Sequence, residues 1–201
     1  MSVASREIQE EKGTKEKIFN TAARLFAEKG YNGVSMREIS EETGLSKPTI
    51  YYYFGSKEGI YKELIHAGLS HGTTEFEEII EKNISIKQKL IEIVKIRFKQ
   101  GIEFPEFAKF ILGLFIASEK LPFLDELTEE AEKSRLDFVK LVQEGINSGE
   151  FGQSADPDLA AEIFLGTIIH YLWKQVNSQE TILSDQLAEE IVELLFKGLN
   201  E

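Results

Sequence analysis

Apolar residues recur at helical spacing from one end of this chain to the other, and no run alternates convincingly with period two. That feature leaves little room for a sheet and points to an all-α protein. The punctuation agrees with it. Four prolines each fall near the start of an expected helix, and glycines follow where apolar stripes end. The first stripe is Ile18, Ala22, Leu25 and Phe26, at i, i+4, i+7 and i+8, on a helix expected over about residues 14–29 and stopped by Gly30.

Short helices follow. Ser35-Met36-Arg37-Glu38 has the pattern of a capping box, with the serine hydroxyl accepting an amide and the glutamate reaching back. Gly44 closes that helix, and Ser46 opens the next, with Pro48 in its first turn where a missing N–H is harmless. This helix ends near Phe54-Gly55, and Ser56 caps another. From there the helices lengthen: about 57–82, bent around Gly68 and Gly72, then 86–103, 105–118, 122–146, 157–176 and 184–199. The expectation is about nine helices in two parts, a three-helix head over residues 1–56 and a larger helical body over residues 57–201.

The head contains the strongest pattern. Two short helices joined by Gly44-Leu45-Ser46, with Ile39, Leu45 and Ile50 spaced to pack between them, make a helix-turn-helix. Many helical hairpins share this much, so the hairpin alone does not decide for DNA. The second helix adds Lys47, Thr49, Tyr51, Tyr52 and Tyr53, polar or half-polar side chains, while Ile50 and Phe54 supply the inward face. Such a tip suits the major groove: tyrosine hydroxyls and an ammonium meet phosphate oxygens, and a threonine meets a base edge or a thymine methyl. Arg37 and Lys57 add cations on the same side, Lys57 at a helix start that itself attracts phosphate. The plainer alternative is that the tyrosines pack, and Tyr53 is the one expected to do so.

Residues 14–64, a quarter of the chain, resemble the DNA-binding domain of the TetR family of bacterial regulators. The resemblance rests on Ala22-Ala23-Arg24-Leu25-Phe26, Lys29-Gly30-Tyr31, Ile39, and the run from Gly44 through Tyr51-Tyr52-Tyr53-Phe54-Gly55-Ser56-Lys57. It implies an all-α dimer with an N-terminal reading head and a C-terminal domain for ligand binding and dimerisation. It also implies DNA contacts from Arg37, Ser46, Lys47, Thr49, Tyr51, Tyr52 and Lys57, to which Ser35 is added here. Pro48 departs from the pattern, which often has glycine or another small residue there. The function implied is a repressor on a palindromic DNA operator, released by a small, largely apolar effector. The alternative is a DNA-binding protein whose body takes a protein partner or serves an architectural role.

Charge permits this reading without arguing for it. The net charge of −12 is carried entirely by residues 61–201, whereas residues 1–60 hold nine Lys or Arg against nine Asp or Glu. Phosphate attraction acts within roughly 8–10 Å in physiological salt, so a neutral head with clustered cations can dock while the acidic body stays away.

Several functions are disfavoured. With no cysteine there is no disulfide, no thiolate catalysis and no cysteine-ligated metal. His66, His71 and His170 are scattered, and no glycine-rich phosphate loop is present. No enzyme activity, cofactor or metal is expected. No apolar run is long enough to span a membrane, and a cytoplasmic location is the default.

In the body, the last two helices are apolar over wide arcs. Leu159, Ile163 and Gly166 line one side of the first, with Phe164, Ile168 and Tyr171 on another, while Leu187, Ile191, Leu194, Leu195 and Leu199 form a stripe on the second. Phe164, Ile168, Ile191, Leu194 and Leu195 are the expected dimer face, against the alternative of a monomer core that absorbs both sides. The middle helices are aromatic, with Phe98, Phe104, Phe107, Phe110, Phe115, Phe123 and Phe138, then Tyr171 and Trp173. Such residues line either an apolar pocket or a filled core. Arg97 at the edge of the Ile93–Val94 stripe suits either an acidic ligand head group or an interaction with solvent or a helix carboxylate. Arg97, Phe98, Phe115, Phe138, His170 and Trp173 form the expected ligand set, with His170 open to a core or interface role as well.

Overall fold

The computed structural model describes residues 3–69, 74–116 and 124–200. These are all-helical: α1 (Val3–Gly33), α2 (Met36–Thr43), α3 (Lys47–Phe54), α4 (Lys57–Leu69), α5 (Thr74–Glu81), α6 (Ile86–Glu103), α7 (Pro105–Ile116), α8 (Leu124–Ser148), α9 (Pro157–Val176) and α10 (Asp185–Gly198). The helix expected over 57–82 is thus two, α4 and α5. His71, Gly72, Pro122 and Phe123 lie outside the described residues. The first helix starts earlier than its apolar stripe, at Val3, and leaves helical geometry at Gly30 (φ 67°, ψ 174°).

Side-chain oxygens terminate the helices where the sequence places them. Ser35, Ser46, Ser85, Asp156 and Ser184 accept first-turn amides of α2, α3, α6, α9 and α10. At Ser35 the side-chain oxygen accepts from the Glu38 amide at 3.2 Å, and the Glu38 carboxylate, paired with Lys29 and also drawn to the Ser35 backbone N–H, is held below its usual pKa. The complete capping box belongs to Ser85 and Gln88, at the start of α6.

Two apolar clusters hold the chain together. The first gathers Ile18, Ala22, Leu25 and Phe26 of α1 with Ile39, Ile50 and Phe54, and continues into Ile60, Tyr61 and Leu64 of α4 and Phe110 of α7. The second fills the body from α5, α6, α8, α9 and α10. The core of the head therefore does not stop at residue 56. Phe110 brings its ring 5.1 Å from Tyr61, and Phe107 brings its own 5.4 Å from Phe19 of α1. No helix among the described residues is long and apolar enough to cross a membrane.

Candidate functional site: an exposed helix tip and an apolar cavity

The hairpin of α2 and α3 is fixed from within by hydrogen bonds across its turn. Gly44 adopts the left-handed conformation (φ 66°, ψ 15°), which a side chain resists and glycine allows. Ser40 Oγ donates to the Leu45 carbonyl at 2.6 Å, and Thr43 Oγ1 donates to the Ile39 carbonyl at 2.6 Å while accepting the Leu45 amide. Ile39 and Ile50 are fully buried between the helices. Each contributes roughly 1.5–3 kcal/mol by leaving water.

With its inner face held by Ile50 and Phe54, α3 turns the rest outward. Tyr52 is 77% exposed and Tyr51 46%, and Lys47 is exposed beside them. Tyr53 is the tyrosine that packs, against the head core and edge-on to Tyr52 at 5.2 Å. Ser46 Oγ accepts the Thr49 amide and lies 2.8 Å from Thr49 Oγ1, leaving that hydroxyl pair one proton for an outside acceptor. Arg37 is exposed, and its Nε donates to Glu41 at 2.7 Å, which leaves the Nη donors of its guanidinium for another acceptor. Hydrogen bonding to Glu41 holds the Arg37 guanidinium above its usual pKa.

Lys57 stands at the start of α4, as expected, but with partners of its own. It is not a free surface cation: its ammonium donates to the carbonyls of Tyr31 and Val34, each at 2.9 Å, and sits 4.1 Å from the Tyr31 ring centre. The Val34 and Tyr31 carbonyls belong to the end of α1 and the strand of chain leaving it. Lys57 thereby ties the start of α4 to that corner, with one N–H left over.

In the body the middle helices enclose open space. A cavity of about 680 Å³ lies between α4, α6, α7, α8 and α9, with Arg97, Phe107, Ile111, Arg135, Phe138 and Leu172 in its wall. That volume falls within the range of small-molecule sites, about 300–1,000 Å³. Of the residues expected to line such a site, Arg97 and Phe138 do. Phe98 instead lies buried in the body core with Tyr171 at 6.3 Å. The side chain of Phe115 lies outside the described part of the chain. His170 and Trp173 stack on one another at 6.3 Å on the outer side of α9, away from the cavity. Sequence reasoning missed Phe107, Ile111 and Arg135, and only the aromatic density around Phe107 hinted at the first.

Of the five residues expected at a dimer face, three are buried and two lie at the surface. Phe164, Ile168 and Ile191 are spent inside the chain's own core. The outward stripe on α9 is Leu159, Ile163, Gly166, His170 and Trp173, spaced four, three, four and three, with Leu159 57% and Ile163 52% exposed. Leu194 of α10, 70% exposed, and half-buried Leu195 border the same groove, about 550 Å³, between α9 and α10.

Residues 18–64 match the family described as bacterial regulatory proteins, tetR family. Over 189 residues the chain is 28% identical to YuxN, an HTH-type transcriptional regulator of Bacillus subtilis, covering 92% of this chain. It spans 63% of that relative's length, a little under two thirds. It is 23% identical over 192 residues to the HTH-type transcriptional repressor KstR2 of Rhodococcus jostii, covering 93% of this chain and 91% of the repressor. Among solved structures it resembles the transcriptional regulator FadR of Bacillus subtilis in complex with stearoyl-CoA. The TM-score is 0.73 and the identity 26%, over 92% of this chain and 99% of the other.

Proposed function

Because the chain belongs to the TetR family of bacterial regulatory proteins and is a transcriptional regulator, we propose that it works as a homodimeric repressor whose α3 tips grip a palindromic operator until a small, largely apolar effector enters the body. The single observation behind the DNA half is the outward α3 tip, with Tyr51, Tyr52 and Lys47 exposed on a helix anchored by buried Ile50 and Phe54. In this reading Tyr51, Tyr52 and Lys47 bind phosphates, Thr49 meets a base edge, and Ser35 and Ser46 place their hydroxyls at the groove. Arg37 turns its Nη donors to phosphate, and Lys57 offers its remaining N–H.

The effector half rests on the cavity. An open apolar space among the middle helices favours a small molecule over a body that merely fills itself or docks a protein. The stearoyl-CoA bound by the Bacillus subtilis relative supports an amphipathic effector here. Its route to the head is α7: Phe107 and Ile111 line the cavity, while Phe107 and Phe110 contact the head core. Gly68 of α4 touches the same wall so closely that an added methyl would meet Ile111. A ligand that shifts α7 therefore moves α1 and α4 with it, and by linkage DNA weakens the ligand by the same factor. Dimerisation through the α9 stripe and Leu194 would set the two α3 tips at a fixed separation.

Selection from random duplex DNA tests the assignment. Two inverted half-sites with centres about 34–36 Å apart are expected. Leu194→Glu should give monomers in sedimentation and lose preference for the paired site. Absence of any enriched sequence would overturn the reading.

A further inference from the structure

The cavity wall carries an asymmetric charge pattern that the effector reading leaves unexplained. Arg97 stands on α6 beside fully buried Ile93 and Val94 and lines the cavity together with Gln100. Its one hydrogen bond goes to the neutral side chain of Gln100, from Nη1 to Oε1 at 3.3 Å. Among the described residues no carboxylate pairs with it. Arg97 is half-buried, and that burial draws its pKa below the usual guanidinium value.

The other cation in the wall is already taken. Arg135 donates from Nε and Nη2 to the two oxygens of Glu132 at 2.9 and 2.7 Å, and from Nη1 to Asp158 at 2.6 Å, with Glu162 at 3.8 Å. Glu132 and Glu162 also line the cavity and are exposed, so they stand at its solvent-facing rim, while Asp158 reaches Arg135 from outside the lining. Two lining carboxylates against the one rim guanidinium leave that rim with excess negative charge. The inside of the site thus carries an unmatched positive group and its mouth a negative one.

We infer that the site takes an amphipathic monocarboxylate, an apolar body with a single free carboxylate that pairs with Arg97, in preference to a thioester of that acid with coenzyme A. The inference rests on the effector reading above and narrows its ligand class. A carboxylate matches the planar fork of a guanidinium in two parallel hydrogen bonds. Pairing also supplies the counter-charge that the half-buried cation lacks. A thioester removes that carboxylate and adds several phosphate charges, which the interior cannot match with one cation and the acidic rim repels.

The test is displacement of Nile red, a neutral apolar dye, from the full-length protein by dodecanoate, dodecanol and dodecanoyl-CoA. Wild type, Arg97→Gln and Arg97→Lys are compared. In wild type, dodecanoate is expected to compete about 10- to 100-fold better than dodecanol, the scale of hydrogen bonds to a charged group, and also better than dodecanoyl-CoA. Arg97→Gln should abolish that preference by weakening dodecanoate alone, and Arg97→Lys should keep part of it. Dye uptake by each variant shows that its cavity is intact; should Arg97→Gln take up none, the wild-type order and Arg97→Lys decide. Equal competition by acid and alcohol, equal loss of both in Arg97→Gln, or tightest binding of the thioester would overturn the inference. Dye that binds but yields to no carboxylate sinks the inference and leaves the cavity reading standing. Failure of the dye to enter wild type removes both.

Discussion

Lys57 and Arg97 are both cations whose surroundings decide their use. Lys57, at the first turn of α4, reads in the sequence as a phosphate ligand because its position in the motif and the helix start both favour one. Its partners, the carbonyls of Tyr31 and Val34, are 26 and 23 residues away, beyond anything spacing within a helix reveals. Lys57→Met should therefore destabilise the fold by about 1–3 kcal/mol, since two buried-side acceptors lose a charged donor. Thermal unfolding measures this, at roughly 2–4 °C per kcal/mol for a chain of this size. An unchanged melting temperature with lost DNA binding would return Lys57 to the surface. Arg97 was legible as a borderline residue, because i−3 and i−4 apolar neighbours put it at the edge of a stripe. Tertiary packing, not spacing, bears on its alternatives: among the described residues no carboxylate pairs with it, and it lines open space.

At the scale of elements, the head was readable because its signals are local. Serine caps, a left-handed glycine and two buried isoleucines all act within a few residues, and each sits where the pattern placed it. The body was harder for a physical reason. Helix α9 is apolar almost all round, so its sequence offers two candidate faces with nothing local to say which meets the core. Phe164 and Ile168 took the core and left Leu159 and Ile163 outside, the reverse of expectation. His170 and Trp173 followed the outer face for the same reason. Helix α7 shows what spacing cannot: its Phe107 serves the cavity and the head core together. Phe107→Ala should leave free-protein DNA affinity within about threefold yet shrink the ligand-induced loss of affinity, a coupling that commonly spans 5–150-fold. Anisotropy titrations with and without saturating ligand measure it, and an undiminished coupling would remove α7 from the route.

For the whole molecule, the charge division has a mechanical counterpart. The neutral head presents Lys47, Tyr51 and Tyr52, and the acidic body holds the cavity and the apolar α9–α10 groove. Lys15, Arg24, Lys29 and Arg37 of the head are paired with carboxylates, so affinity should depend on fitted contacts more than on bulk attraction, with a shallow salt dependence. The joining of the two parts through α4 and α7 makes the head's orientation a property of the body's packing. The most direct test of the account is fluorescence anisotropy of duplex DNA from beside the chain's own coding region, or of the selected operator, at two salt concentrations. Wild type is compared with Tyr51→Ala/Tyr52→Ala, which removes two exposed rings and should leave the melting temperature unchanged. The account predicts a saturable wild-type complex of two or more protomers per site that outcompetes random DNA, and its loss in the double variant. Equal affinity of both proteins for the selected operator would contradict the assignment of α3 as the reading helix.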